Sequence, residues 1–316
     1  MARLVLLCVA LAGCLRSTEY ECNSVDQCVA GGDQGVCETT GYCSFTDASC
    51  PSGRRYGTLS GPFAAQCVED SDGDQDDDGV ADAADNCPAI ANGDQHNEDR
   101  DRFGDKCDPC PPVMDDNPAD GDDDGVADAC DPRPMMGGDR IAVFEGFGAG
   151  IPTGWVQGGN GEWLQMGDDL TTHPPDTGGP AFSALSITTN AQTGNETSSG
   201  AMTVESIDAV QNSGVSINTN SAGQSAIICF VVRDQQGDNL TVSDFQSDTS
   251  MPFALVAAPY RIDLRRDGTM YSCTGDQSGT GATVEGTFPL VNSPYARGIS
   301  AFGLAARFHW FMVVEN

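Results

Sequence analysis

The sequence predicts a mainly β protein, with an antiparallel β-sandwich at its C-terminal end and an irregular stalk before it. Short runs rich in β-branched and aromatic residues, such as "RIAVFEGF", "AIICFVVRD" and "AARFHWFMVV", alternate with Gly, Asn, Asp and Ser after residue 138. No long helical period accompanies them. Upstream, 23 acidic and three basic residues lie between Glu69 and Asp131, a composition that cannot form a hydrophobic core. The formal net charge of -32 excludes nucleic acid as a partner.

The first element, residues 1–14, has the pattern of an export signal: one Arg, a nine-residue apolar run and small residues at its end. It is too short to span a bilayer. Its last four residues, "LAGC", resemble the bacterial lipobox, which implies that Cys14 carries a lipid and anchors the chain to a membrane. Leu15 in the next position favours the outer membrane, at the cell surface or in the periplasm. An ordinary signal peptide is the alternative.

The second element, residues 18–68, is predicted to be a small module held by disulfides. Without Cys8 of the signal and a lipidated Cys14, twelve of the 14 cysteines remain, in groups of six, four and two. An even number in an exported chain favours disulfides, and so few apolar residues need them for stability. The pairing among fifteen possibilities and the role, spacer or binder, stay open. The six cysteines are Cys22, Cys28, Cys37, Cys43, Cys50 and Cys67.

The third element, residues 69–131, contains a 23-residue repeat of acidic loops. Each twelve-residue loop has oxygen side chains at positions 1, 3, 5, 9 and 12 and a backbone carbonyl at position 7, the spacing with which an EF-hand loop binds a hard cation. Calcium fits better than magnesium, because it accepts six to eight oxygens in loose geometry. The candidate ligands are Asp74, Asp76, Asp78, Val80, Asp82 and Asp85; Asn97, Asp99, Asp101, Phe103, Asp105 and Asp108; and Asp120, Asp122, Asp124, Val126, Asp128 and Asp131.

The second loop departs from this pattern. Arg102 stands where the other loops have Gly79 and Gly125, and a side chain resists the backbone conformation of such a turn. Asn97 also replaces an aspartate, so we expect this site to be the weakest. A disordered acidic tract would explain the charge, but not the 23-residue register or the cysteines.

The strings "DGVADAADNCP", "FGDKCDPCP" and "DGVADACDP" resemble thrombospondin type 3 repeats. The resemblance implies a chain that wraps around calcium with almost no secondary structure and is stapled by disulfides, here Cys87 with Cys107 and Cys110 with Cys130. A zinc site at Cys107 and Cys110 is the rival interpretation, because CxxC pairs also bind zinc. The resemblance thus predicts a disulfide- and calcium-stabilised irregular stalk.

The last element, residues 139–316, follows a Pro-, Met- and Gly-rich linker at 132–138 and is long enough for one sizeable domain. Its strand spacing predicts a β-sandwich. "FEGFGAGIPTGWVQGGNGEW", "YRIDLRRDGTMYSC" and "GISAFGLAARFHWFMVV" resemble the concanavalin A-like or laminin G-like jelly roll. Cys229 and Cys273 are expected to form one bridge, with two free buried thiols as the alternative.

The sandwich is predicted to bind a ligand and not to be an enzyme. No ExDxxE-like run is present, and Glu205 and Asp208 would face opposite sides of a strand. His309 is expected to be a packed or paired sheet residue, and a Ser-His-Asp site is poorly supported. Carboxylates from separate strands remain an open possibility, and aromatic residues could stack on sugars: Glu145, Glu162, Asp168, Asp169, Trp155, Trp163 and Trp310.

Taken together, these elements predict a calcium-binding, lipid-anchored envelope protein that presents a β-sandwich for adhesion or for recognition of a glycan or surface protein. Two other classes remain: a calcium-dependent polysaccharide hydrolase or lyase, and an inert structural spacer.

Overall fold

A computed structural model describes residues 19–38, 40–50, 52–68, 74–173, 182–189, 195–207, 213–221, 225–289 and 295–316. The predicted signal segment with Cys14, and also Asp208, lie outside these residues. The chain divides into two compact units, and the division falls between Gly93 and Asp94. No helix among the described residues is long and apolar enough to cross a membrane.

The first unit contains a small module held by disulfides. Its bridges join Cys22 with Cys37, Cys28 with Cys43, and Cys50 with Cys67, a pairing that the sequence left open. Tyr42, Tyr56 and Val68 form a small core beside Phe63. The elements are strands β1 (Val29–Ala30), β2 (Asp33–Gln34), β3 (Val36–Cys37), β4 (Cys43–Thr46) and β5 (Arg54–Tyr56), with 3-10 turns at Val25–Gln27 and Gly61–Phe63.

The described residues of the second unit form fifteen strands, all paired antiparallel. They are β6 (Arg140–Glu145), β7 (Trp155–Gly159), β8 (Glu162–Met166), β9 (Asp169–His173), β10 (Phe182–Thr189), β11 (Glu196–Ile207), β12 (Ser213–Ser221), β13 (Ser225–Asp234), β14 (Gly237–Ser243), β15 (Asp248–Pro252), β16 (Pro259–Asp267), β17 (Met270–Gln277), β18 (Thr280–Thr287), β19 (Tyr295–Phe302) and β20 (Leu304–Glu315).

These strands form the predicted C-terminal antiparallel sandwich, and the fold class is confirmed. One sheet has the order β15-β14-β13-β12-β19-β10-β7, and the other β18-β17-β16-β11-β20-β9-β8, with β6 also paired to β20. The described stretch 74–139 before them contains neither helix nor strand, as the prediction of an irregular segment requires.

The core lies between the two sheets and follows the alternation of side chains along each strand. On β16, Tyr260, Ile262 and Leu264 are buried, and Gly268 then turns the chain into β17 with a φ of 60°. The Cys229–Cys273 disulfide joins β13 of one sheet to β17 of the other. The bridge therefore crosses the core.

A buried ion-pair network also crosses the core at one end. Arg297 of β19 is fully buried and contacts Glu196 of β11, with 3.2 Å from Nε to Oε2, and lies 3.6 Å from Glu315 of β20. Arg266 and Arg140 contact the same two carboxylates. Charges withdrawn from water require such partners, because an unpaired buried charge is strongly unfavourable.

We predict that Glu196→Gln lowers the free energy of unfolding by about 3 kcal/mol or more, because it leaves buried guanidinium groups with less compensation. Glu205→Gln on the same strand is the matched control: its pair with Arg307 is one-third exposed, and its loss should cost under about 1 kcal/mol. Urea denaturation of both variants, followed by tryptophan fluorescence, measures the difference. Equal effects would contradict this account of the network.

Candidate metal sites in the acidic repeats

The acidic loops fold around their own carboxylates in one repeated pattern. At position 5, Oδ1 of Asp78, Asp101 and Asp124 accepts the N–H two residues later, at 2.8, 2.7 and 3.0 Å. Oδ2 of each accepts an N–H fourteen residues later, at 2.7, 3.1 and 2.9 Å. The 23-residue repeat of the sequence is therefore also a repeat of backbone structure.

Positions 9 and 12 repeat in the same way. Oδ1 of Asp82, Asp105 and Asp128 accepts the N–H of position 2 in its own loop, at 2.8, 2.9 and 2.8 Å. Oδ1 of the position-12 aspartates Asp85, Asp108 and Asp131 accepts the N–H two residues later. Position 9 thus closes the loop through hydrogen bonds to the backbone.

Carboxylate oxygens from several positions of the loops converge. Their ligand atoms lie within 4.8 Å of one another in four groups: Asp74, Asp76 and Asp78; Asp99, Asp101 and Asp108; Asp120, Asp122 and Asp124; and Asp124, Asp131 and Asp139. Within the described residues, the position-9 aspartates belong to none of these groups. Asp139 is an addition that sequence analysis missed. The repeat could have indicated this residue, because Asp139 follows Asp124 by fifteen residues, the same spacing that separates Asp116 from Asp101.

Several of these oxygens are buried without a hydrogen-bond partner in the described part of the chain. They are Oδ2 of Asp76, Asp99, Asp108 and Asp131, Oδ1 of Asp120, and both oxygens of Asp122. Asp108 and Asp131 are only 7% and 8% exposed. A buried polar atom without a partner is costly, and carboxylate oxygens are the ligands that a hard cation prefers. The residues therefore fit a bound divalent cation.

Electrostatics indicates the same requirement. Burial raises the pKa of Asp108 to about 7, with the nearby charges of Asp101, Asp99 and Asp105 adding to the shift. Burial likewise raises the pKa of Asp131 to about 6 and that of Asp76, Asp99 and Asp122 above their usual range. Without a cation, protons would be the only mobile positive charge available to these groups.

The second loop differs as Arg102 and Asn97 lead one to expect. In the first and third loops the N–H of Gly79 and Gly125, at φ 96° and 95°, donates to the position-1 aspartate at 2.9 Å. Arg102 lies outside the left-handed region and donates instead to Asp116, at 2.9 Å. Asn97 Nδ2 donates to the carbonyl of Asp101 at 2.8 Å. The side chain at position 1 of this loop thus donates an N–H to the loop backbone, whereas the other two loops have a carboxylate at this position.

The third loop packs against the outer face of the eight-stranded sheet. Cys110, Val126, Ala127 and Cys130 form an apolar cluster with Trp310, Met312 and Val314 of β20, and Ile141 and Phe144 of β6 pack against it. Cys110 and Cys130 are bridged, the pairing that the resemblance implies, and Cys87 and Cys107 are also disulfide-bonded. Trp310, a candidate for sugar stacking, is therefore covered.

Several other candidate residues of the sandwich are held by partners. His309 Nδ1 lies 2.9 Å from Asp169 Oδ1, and His309 Nε2 lies 2.8 Å from Thr203 Oγ1. His309 is therefore a paired sheet residue. Trp163 is buried and donates to the carbonyl of Ala184, and Trp155 packs edge-on against Phe147 and Phe311. Glu205 pairs with Arg307.

Sequence analysis missed a groove on the outer face of the seven-stranded sheet. Its volume is about 470 Å³, and Phe182, Phe230, Phe245 and Phe302 line it with a few serines. Ser216 and Ser300 hydrogen-bond across neighbouring strands at 2.5 Å. These residues come from separate strands and one turn, so no local motif could have indicated the groove.

Comparison with known proteins bears on the sandwich alone. No family model matches the sequence, and no curated protein matches it. Solved structures similar to this chain include lectin I from Ulex europaeus in complex with the methyl glycoside of α-L-fucose, at 6% identity and a TM-score of 0.48, over 56% of this chain and 98% of that one. The basic winged bean lectin has 8% identity and a TM-score of 0.47, over 57% and 99%. The exoplasmic domain of VIP36 has 8% and 0.42, over 54% and 85%.

The raised pKa of Asp108 predicts how the metal-free protein responds to pH. The group is protonated in the folded state up to about pH 7 but only to about pH 4 when unfolded, so its contribution to stability is present at low pH and is lost as the pH rises towards 7. Melting temperatures of metal-stripped protein should therefore fall between about pH 4 and pH 7. Asp108→Asn should flatten that fall, whereas Asp267→Asn at an exposed turn should not.

Proposed function

We propose that this chain is a calcium-binding protein whose acidic loops fold around the ion, and that its β-sandwich recognises a ligand outside the cell. The observation that carries the calcium proposal is the repeated set of buried carboxylate oxygens without partners, chiefly on Asp99, Asp108, Asp122 and Asp131. Backbone N–H groups bind the other oxygen of Asp99, Asp108 and Asp131 and so orient the oxygen that has no partner.

Calcium is the preferred ion because the donors are all oxygen and numerous. Asp120, Asp122 and Asp124 converge in the third loop, and Asp124, Asp131 and Asp139 converge beside them. Such a set suits the irregular coordination of calcium better than the strict octahedron of magnesium. When bound, the ion supplies positive charge; the chain's own residues orient the carboxylates and exclude water from them.

We propose that calcium binding makes the acidic loops compact and ordered. Without the ion, neighbouring carboxylates repel one another and the loops should swell; with it, the ligands converge and the repulsion is neutralised. Because the third loop packs against β20, its order should also support the sandwich. We also propose that a lipid on Cys14 anchors the chain at the outer membrane. In the sequence, the acidic loops lie between this anchor and the sandwich.

The recognition half of the proposal is supported by the groove on the seven-stranded sheet. Aromatic rings such as Phe230 and Phe245 offer apolar faces, and Gln157 and Ser186 offer polar groups, a combination that suits the apolar face and the polar edge of a sugar. One of the similar structures, lectin I from Ulex europaeus, is a complex with the methyl glycoside of α-L-fucose. We propose a glycan as the ligand and adhesion as the role, without turnover.

The calcium proposal predicts a contrast between adjacent aspartates. Asp122→Asn should remove at least one equivalent of bound calcium and lower the calcium-dependent rise in melting temperature, because Asp122 offers two buried oxygens. Asp123→Asn, with the same change of charge at an exposed position, should bind as the parent does. Calorimetric titration of residues 19–316, with thermal unfolding at each calcium level, gives both readouts. An unchanged count in Asp122→Asn, or no binding in the parent, would refute the proposal.

The glycan proposal predicts that Phe245→Ser weakens binding at least tenfold, because Phe245 is 68% exposed at the groove. Met270→Ser, which removes an apolar side chain 47% exposed on the other sheet, is the matched control. A glycan array in calcium identifies the ligand, and titration of the best hit compares the variants. Release of new reducing ends would instead favour a hydrolase, and a silent array would exclude this ligand class while leaving calcium binding intact.

A further inference from the structure

Strand β6 has one open edge. It pairs with the end of β20, from Phe311 opposite Glu145 to Glu315 opposite Arg140, and no other strand among the described residues pairs with it. Alternate N–H and C=O groups of an edge strand point away from its neighbour. No backbone hydrogen bond from the rest of the described chain ends on those groups of β6. The strand therefore presents a row of backbone donors and acceptors that can pair with a further strand.

Both faces of β6 are already packed. Ala142 and Val143 lie against the core between the two sheets, and Ile141 and Phe144 lie against the apolar cluster beneath the third loop. A change of register between Val313 and Val314 of β20 leaves Ala142 without a direct partner, which explains why the two pairs face opposite sides. The open edge is thus the part of this strand that remains available to a ligand.

A cavity of about 420 Å³ lies along this edge. Its lining includes every residue from Ile141 to Glu145 in succession, whereas a strand that presented only one face would contribute alternate residues. The cavity therefore follows the backbone of β6. Its other wall comes from the second acidic loop and includes Asp94, His96 and Asp105.

Contacts of His96 fix the spacing between the loop and the strand. Its Nδ1 lies 2.5 Å from Oδ2 of Asp105. Its ring lies against Gly146 and Gly148, immediately after β6, where a Cβ would come within 2.5 and 2.2 Å of ring atoms. The two glycines are needed for this approach, so the cavity is a built feature of the loop and the sandwich together.

The charge of the cavity selects the kind of partner. Asp94, Asp105, Asp108 and Glu145 line it, against Lys106 and His96. Asp94 and Glu145 are not candidate calcium ligands, so this wall stays negative when the loops hold calcium. An acidic segment would be repelled, and so would a second copy of this chain, which carries -32.

We propose that an extended, basic segment of another protein adds to the open edge of β6 as a further strand. Main-chain hydrogen bonds to the edge hold such a segment. Because every second side chain of a strand points to the same side, its lysines or arginines alternate with other residues and face the acidic wall. This surface lies on the eight-stranded sheet, apart from the groove proposed for a glycan, and does not depend on it.

The test uses a capped seven-residue peptide that alternates lysine with threonine, and residues 19–316 of the chain loaded with calcium. Fluorescence anisotropy of the labelled peptide should show binding, and a version with glutamate for lysine should not bind. Methylation of the backbone nitrogens at all lysines, or at all threonines, keeps the charge but removes the donors of one peptide edge. One of the two methylated peptides should bind at least tenfold more weakly, and the other should lose less than threefold.

Matched variants of the protein test the acidic wall. Asp94→Asn combined with Glu145→Gln should weaken peptide binding at least fivefold, and the glutamine can still accept the N–H of Phe147. Asp267→Asn combined with Glu285→Gln makes the same change of charge at exposed positions on β16 and β18. This control should change binding less than twofold.

Hydrogen exchange locates the bound peptide. Amides within residues 141–146 should exchange more slowly when the peptide is present. No binding, equal effects of the two methylated peptides, or binding without protection of these amides would overturn the proposal. Protection that rises with protein concentration in the absence of peptide would show pairing with a second copy, and would overturn it as well.

Discussion

Repulsion between carboxylates held at short range is the constraint on which the rest of the structure depends. The ligand atoms of each aspartate group lie within 4.8 Å of one another, and like charges that close repel at the effective dielectric of a protein surface. Backbone N–H groups offset part of this, as at Asp78, Asp101 and Asp124. The oxygens that remain have no such compensation, and a cation is the simplest group that supplies it.

The loops and the sandwich share this dependence. Asp124 accepts the N–H groups of Gly138 and Asp139 immediately before β6 begins, and the third loop contributes Val126 to the cluster on β20. Residues 94–316 form one compact unit. Changes of charge in the third loop are therefore transmitted by direct contact to two strands of the eight-stranded sheet, and the Cys110–Cys130 bridge limits how far the loop can move.

Local patterns could be predicted from the sequence, and long-range ones could not. The alternation of Tyr260, Ile262 and Leu264 correctly indicated a strand with one buried face, because side-chain direction has period 2. The repeat indicated the backbone pattern of the loops for a similar reason, since each hydrogen bond there spans at most fifteen residues. The Phe-lined groove, the Arg297 network and the partners of His309 were not predictable, because each joins strands more than a hundred residues apart in the chain. Asp139 was missed because the repeat was taken to end at Asp131.

The cluster beneath the third loop has a consequence for the solubility of the protein. Trp310, Met312 and Val314 lie on a central strand and are covered by a loop, not by the opposite sheet. If that loop loosens in a calcium-poor compartment, a strip of apolar surface becomes a ready contact for another copy of the chain. Under the proposed calcium binding, the availability of the ion would then govern the solubility of the protein, because binding of the ion would keep this apolar surface covered.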